Sequence, residues 1–298
     1  MKKIVVTSDK GFSKDQKNRL KKFGEVTFHI DSPNTPGEWL SRVQGAEIII
    51  SSRFGLKDNL YNLRDVFVSY PFVSLGNINK EKLKLNKVIL ANAPGSNKNA
   101  VCEWITVMML NLTRKFHDYL SNKKEMPLVS SGLKNKKVTI LGRGNIGAKM
   151  GLICKAFDMR VNYFSRGDDL IAKSGKADII INCLSHNEST ANLLDETFFK
   201  SLQPGIFFIT CVSQKICDSD AMIKVLDKGI LAGVADDCAS GNVGDTNYEY
   251  YKKISEHPKI LATPHIAWAS EASIADGNEM SIKNVEAWAK GKPINIAS

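Results

Sequence analysis

Short runs of β-branched and aromatic residues alternate along the chain with stretches whose apolar positions recur at helical spacing. The pattern predicts strands at Ile4–Thr7, Val26–His29, Glu47–Ser51, Val88–Ala91, Val138–Leu141, Val161–Phe164, Asp178–Cys183, Ile206–Thr210, Ala232–Ala235 and Ile260–Ala262. Strands separated by helices imply βαβ units and parallel sheets. One segment differs: after Pro94-Gly95-Ser96, a helical pattern runs from about Asn99 to Leu120, with Ser96 or Asn97 as its cap. Its stripe of Val101, Trp104, Ile105, Met108, Met109 and Leu112 reads as core or as a subunit interface. A turn-rich stretch from Ser121 to Lys136 leads into the next strand, so a domain boundary is expected near residues 95–100.

Composition narrows the class. With 298 residues, 43% hydrophobic and 24% charged, the chain can bury two cores and is no disordered tail. The apolar run after Lys2-Lys3 is too short for a signal peptide, and no stretch reaches the roughly 18 residues of a membrane span. Cys102, Cys154, Cys183, Cys211, Cys217 and Cys238 form no CxxC pair, so neither a metal set nor a disulfide framework is expected. They read as free thiols in a reducing cytoplasm. The net charge of +10 comes from scattered lysines without a nucleic-acid motif, which suits a solvated surface and anionic ligands.

The chemistry concentrates after the strand at Val138. Gly142-Arg143-Gly144-Asn145-Ile146-Gly147 is a G-x-G-x-x-G loop between a strand and a helix, the context in which that spacing binds a dinucleotide. Gly142 permits the tight turn, Gly144 lets the backbone approach a pyrophosphate, and Gly147 lets helix and strand pack closely. The helix N-terminus supplies N–H donors to the anion. The next strand ends in Ser165-Arg166, where an NAD site usually carries Asp or Glu. A hydroxyl and a guanidinium suit a 2′-phosphate, so NADP is expected over NAD. The alternative makes Arg166 a surface residue, with Asp168 or Asp169 serving the ribose.

Several motifs, in order, resemble the D-2-hydroxyacid dehydrogenase family, most of all its glycerate and phosphoglycerate dehydrogenase branch. They are Asn92-Ala93-Pro94-Gly95-Ser96 with Glu103, the glycine loop, Leu184–Leu194 with Thr190, and Leu202-Gln203-Pro204-Gly205. Leu231–Asp237 and Thr263-Pro264-His265-Ile266-Ala267-Trp268-Ala269-Ser270 complete the set. The resemblance implies a Rossmann dinucleotide-binding domain (99–267) inserted in a flavodoxin-like substrate domain (1–98 and 268–298). It places the active site in the cleft between them and implies a homodimer. It also implies hydride transfer between nicotinamide and a small 2-keto or 2-hydroxy acid, with His265 as proton donor. Thr190, Cys211 and Asp237 fall at its cofactor positions, Asp237 as acceptor from the carboxamide.

Four departures matter. Ser213 stands where the family carries its catalytic Arg, and Asn242 where it carries the Glu that pairs with the His. The loop at Leu75-Gly76-Asn77 is shorter than the family's carboxylate-binding loop. Asp236 also occupies a usually apolar position. Either another cation substitutes, Lys215 or Arg53, or the chain binds a dinucleotide without turnover, as a sensor or interaction partner. Lys215 is expected on the same side as Ser213 of an extended segment.

Overall fold

The computed structural model describes residues 1–76, 78–116, 119 and 129–297. These residues divide into two compact units, 1–97 with 269–298, and 98–268. The turn expected at Ser121–Lys136 lies outside the described residues up to position 128, as do Leu120 at the end of the long helical pattern and Asn77.

In the first unit, β1 (Lys2–Val6), β2 (Gly24–Phe28), β3 (Ile48–Ile50), β4 (Val66–Ser69) and β5 (Val88–Ala91) form one parallel sheet in the order 2-1-3-4-5. This is the flavodoxin-like strand order. The near-continuous apolar runs Ile48-Ile49-Ile50 and Val66-Phe67-Val68 are buried throughout, as a sheet covered on both faces requires. The C-terminal helix Glu271–Ala289 belongs to this unit. Arg19, on the helix Lys14–Lys21, ties it down by ion pairs to Glu279 at 3.0 Å and Glu286 at 2.8 Å.

The second unit carries β6 (Lys137–Leu141), β7 (Arg160–Phe164), β8 (Ile179–Asn182), β9 (Ile206–Thr210), β10 (Leu231–Asp236) and β11 (Ile260–Ala262). They form a six-stranded parallel sheet in the order 7-6-8-9-10-11. Its strand order reverses between β6 and β8, the point at which open α/β sheets take their ligands. The helix Lys98–Arg114 buries Val101, Cys102, Trp104, Ile105 and Met109 against this sheet, whereas Val107 faces outward.

Ten of these strands sit where the alternation places them, within a few residues. The eleventh, β4, has no counterpart in the sequence reading. Its apolar run Val66-Phe67-Val68 lies between Asp65 and Tyr70-Pro71.

Candidate functional site

The glycine loop lies at the C-terminal end of β6 and runs straight into the helix Asn145–Ala156. Gly142 has φ +92°, a left-handed conformation that a side chain resists. A Cβ on Gly147 would stand 2.1 Å from the Gly142 carbonyl, so helix and loop meet only through glycine. A Cβ on Gly144 would meet nothing within 4 Å. The three glycines therefore do different things: two close the turn, and the third borders open space in front of exposed helix N–H groups. Arg143, Gly144 and Asn145 are exposed, and the Arg143 guanidinium rests over the Tyr163 ring, 5.0 Å from its centroid. This cradle fits a pyrophosphate.

At the end of β7, Ser165 opens a turn closed by Asp168, whose carboxylate accepts from the Ser165 main-chain N–H at 2.8 Å. Asp169 caps the helix Leu170–Ser174 through Ala172 N–H. Both carboxylates thus have local work, and Arg166 stands exposed at the turn's tip. Thr190 also has local partners: its hydroxyl donates to the Ser185 carbonyl at 2.8 Å and accepts from Asn187 N–H at 2.9 Å. Burial pushes the Cys211 thiol well above its usual range, keeping it protonated.

His265 is tightly constrained. Its backbone has φ +56°, unusual for a non-glycine residue. Its main-chain N–H donates to the carbonyls of Asp237 at 2.6 Å and Thr263 at 3.0 Å. The buried Asp237 carboxylate fixes the rest of the turn. One oxygen accepts from Thr263 Oγ1 at 2.6 Å and Ile266 N–H at 2.8 Å, the other from Ala267 N–H at 2.9 Å. Trp104 Nε1 donates to Thr263 Oγ1 at 3.1 Å, tying the same turn to the long helix. Burial raises the Asp237 pKa against these bonds and the neighbouring His265. The Asp237 oxygens are thus engaged by protein donors, a role the sequence did not reveal.

The imidazole finds a main-chain partner. His265 Nδ1 lies 2.8 Å from the Gly241 carbonyl, and a carbonyl can only accept, so the proton is on Nδ1. Among the described residues no hydrogen bond reaches Nε2. Asn242 stands one residue beyond that carbonyl. Ser213 caps a 3-10 turn, Gln214–Ile216, and its hydroxyl lies 3.4 Å from that of Ser240. The segment is therefore not extended, and alternation gives no reason to place Lys215 beside Ser213; this corrects the sequence reading. Lys215 is exposed on that turn, where its carbonyl accepts from Asn192 N–H. In the first unit, Arg53 begins the segment Arg53–Asn59, close enough to Tyr70 to oppose the burial that raises its phenol to about 12.

Asp236, unexplained in sequence, is the base of the loop that delivers Gly241. It accepts from Cys238 N–H at 2.7 Å and from the Tyr250 hydroxyl at 2.9 Å, and Cys238 sits at φ +49°. Burial pushes its carboxyl up to about 6 against those two bonds, and Asp237 adds to the rise. The ionisable groups around it include Asp237, Tyr250, Tyr248, Cys211, Cys217 and Cys238. A carboxyl raised from the 3.8 of the unfolded chain favours folding fully below about pH 4 and loses that contribution as pH climbs through 6. The loss is about 3 kcal/mol for two units. Asp236→Asn can still accept from Cys238 and donate to the Tyr250 oxygen. It should therefore be more stable than the parent at pH 7.5 and show little advantage at pH 4. Denaturant unfolding at both pH values checks this, and equal differences at the two would refute it.

A model of the D-isomer specific 2-hydroxyacid dehydrogenase NAD binding domain matches residues 106–267. A D-lactate dehydrogenase of Streptococcus agalactiae serotype III (strain NEM316) is 22% identical over 275 residues, 80% of this chain and 82% of that protein. The D-3-phosphoglycerate dehydrogenase of Bacillus subtilis (strain 168) is 28% identical over 246 residues, 76% of this chain and 45% of that protein. Among solved structures, the acyclic imino acid reductase Bsp5 in complex with NADPH and D-Arg has a TM-score of 0.83 at 22% identity, over 99% of this chain and 100% of that one. This last likeness is one of fold.

Proposed function

This chain belongs to the D-isomer-specific 2-hydroxyacid dehydrogenase family, whose NAD-binding domain it carries, and we propose that it reduces a small 2-keto acid of the glyoxylate or hydroxypyruvate type with NADPH. The observation that carries the reading is His265, held in a left-handed turn by Asp237 with Nδ1 on a carbonyl and Nε2 left for a ligand. When bound, the nicotinamide supplies or accepts the hydride. His265 moves the proton at the substrate oxygen, a task suited to an imidazole. The open space at Gly144 and the N–H groups of the following helix receive the pyrophosphate. Lys215 or Arg53 supplies the positive charge for the substrate carboxylate that Ser213 lacks. A homodimer fits the outward-facing Val107 and Leu152 on the two packed helices of the second unit.

The test is oxidation of NADPH and NADH against glyoxylate, hydroxypyruvate, pyruvate and longer 2-keto acids. Turnover of one of them supports the reading, and cofactor binding without any turnover refutes it. Ser165, Arg166 and the local engagement of Asp168 and Asp169 support NADP over NAD. Arg166→Ala should weaken NADPH binding by about 1–3 kcal/mol and leave NADH unaffected. Equal affinities of the parent for both cofactors by titration would overturn that preference.

A second reading has its own observation. Ser213 and Asn242 are uncharged, and the Ser213 hydroxyl is within hydrogen-bond distance of Ser240 and of Lys215 N–H. A protein that binds a dinucleotide as a sensor or partner, without turnover, would need neither charge.

A further inference from the structure

The loop from Cys238 to Tyr248 carries the one group that the imidazole of His265 touches by a hydrogen bond among the described residues. What holds that group in place is unusual. The Tyr248 ring lies under Gly241 so closely that a Cβ there would stand 2.8 Å from Cδ1 and 3.1 Å from Cγ. The Tyr248 hydroxyl donates to Gln214 Oε1 at 2.9 Å, and Gln214 N–H donates to Ser240 Oγ at 3.0 Å. Gly244 N–H closes the far side on the Pro264 carbonyl at 2.7 Å, one residue before His265. The loop is therefore pinned to the turn of Ser213–Ile216 on one side and to the His265 turn on the other. Gly241 sits at its centre, clamped by an aromatic face.

We propose that Tyr248 is a positioning residue for His265: its ring seats the Gly241 carbonyl, which does the orienting work of an absent carboxylate side chain by fixing the imidazole proton on Nδ1. Resting on the reading of His265 as the acid/base group, this names what aims it. A carbonyl has no proton to give, so it selects one tautomer and leaves Nε2 as the nitrogen that meets substrate. A carboxylate on a flexible side chain would orient the ring from its own rotamer. A main-chain carbonyl is only as well placed as the loop that carries it, which is why the ring under Gly241 matters. The three side chains involved come from positions 214, 240 and 248, and all serve the geometry of one main-chain oxygen. Gln214 gives up something for this: its Nε2 is buried without a partner among the described residues, while its Oε1 takes the Tyr248 hydroxyl. The ring contact, not this hydroxyl, is what seats the Gly241 carbonyl.

The test reads the tautomer directly. Imidazole 15N–1H correlation spectra of the full chain, with His265 assigned by the signals lost in His265→Asn, should show a protonated Nδ1 and a bare Nε2. Tyr248→Phe keeps the ring and should keep that signature. Tyr248→Ala should give mixed tautomers and lower kcat by about a hundredfold, the usual cost of a misplaced reacting group, with cofactor affinity unchanged. Should Tyr248→Ala not fold, Tyr248→Leu fills the space without a flat face, and its spectrum is judged by the same criterion. A parent protonated on Nε2, or an unaltered Nδ1 signature in the folded alanine or leucine variant, overturns the proposal. If the parent reduces no 2-keto acid yet shows the tautomer and its dependence on Tyr248, the functional reading fails and the positioning role stands.

Discussion

Gly144→Val should abolish dinucleotide binding and leave the unfolding midpoint nearly unchanged. The added Cβ has no protein atom within 4 Å, and the backbone there has an ordinary negative φ of −73°. What it occupies is the space through which a pyrophosphate must approach the helix N–H groups. An affinity loss of at least about a hundredfold is expected, near 3 kcal/mol or more. Gly147→Val, three residues on, should do the opposite. Its Cβ would lie 2.1 Å from the Gly142 carbonyl, a backbone atom that cannot rotate away, and from there the helix would have to move off the sheet. A loss of about 3 kcal/mol of stability is expected for so rigid a clash. Calorimetric titration with NADPH and NADH, read beside denaturant unfolding, separates the two. Undiminished cofactor affinity in Gly144→Val would remove the loop from the site.

That contrast also shows which parts of the molecule a sequence can disclose. The glycine loop is legible because everything it needs is local: a strand, six residues and a helix, all within about twenty positions. The parallel sheets are legible for the same reason, since their apolar runs are set by burial on both faces. β4 escapes that reading, although once flanked by β3 and β5 all four of its residues are buried. The His265 surroundings escape as well. Asp236 pairs with Tyr250 fourteen positions away, Ser213 with Ser240 at a separation of 27, and Asp237 with the turn at 263–267. No spacing rule joins these, and replacement of an apolar residue by Asp236 looks like a defect until its two donors are seen. The structure also adds a role that motif matching does not disclose. The Asp237 carboxylate, matched to the family's cofactor acceptor, also holds the His265 turn through three donors. For Lys215 only the geometric reason fails: Ser213 caps a 3-10 turn there, so the segment is not the extended one that alternation requires.

His265→Asn should lower the rate of 2-keto acid reduction by about 10²–10⁴ while leaving NADPH affinity where it was, since removing a positioned proton donor acts on the chemical step. The fold should survive, because the His265 main-chain N–H, not its ring, makes the two bonds to Asp237 and Thr263, and asparagine tolerates a positive φ. The cation is the harder question, and the same assay answers it. A positive charge facing the substrate carboxylate and keto oxygen is worth of the order of a hundredfold or more in rate. Lys215→Ala or Arg53→Ala should therefore show that loss, with the other near the parent rate. A lysine would do the work as a point charge and an arginine as a fork, so slow turnover is expected if Lys215 carries it. Neither variant slowing an active parent would refute cation substitution at these two positions. An inactive parent that still binds NADPH leads to Ser213→Arg combined with Asn242→Glu. The arginine gives up the hydroxyl contact with Ser240 at 3.4 Å and the cap on Lys215 N–H, also at 3.4 Å, and places a charge just beyond the end of β9. The glutamate places a carboxylate one residue beyond the carbonyl that His265 uses. Reduction of a 2-keto acid by that double variant would mark the natural chain as a dinucleotide binder on a dehydrogenase frame, whereas continued inactivity would show that the two substitutions are not what keeps it from turning over.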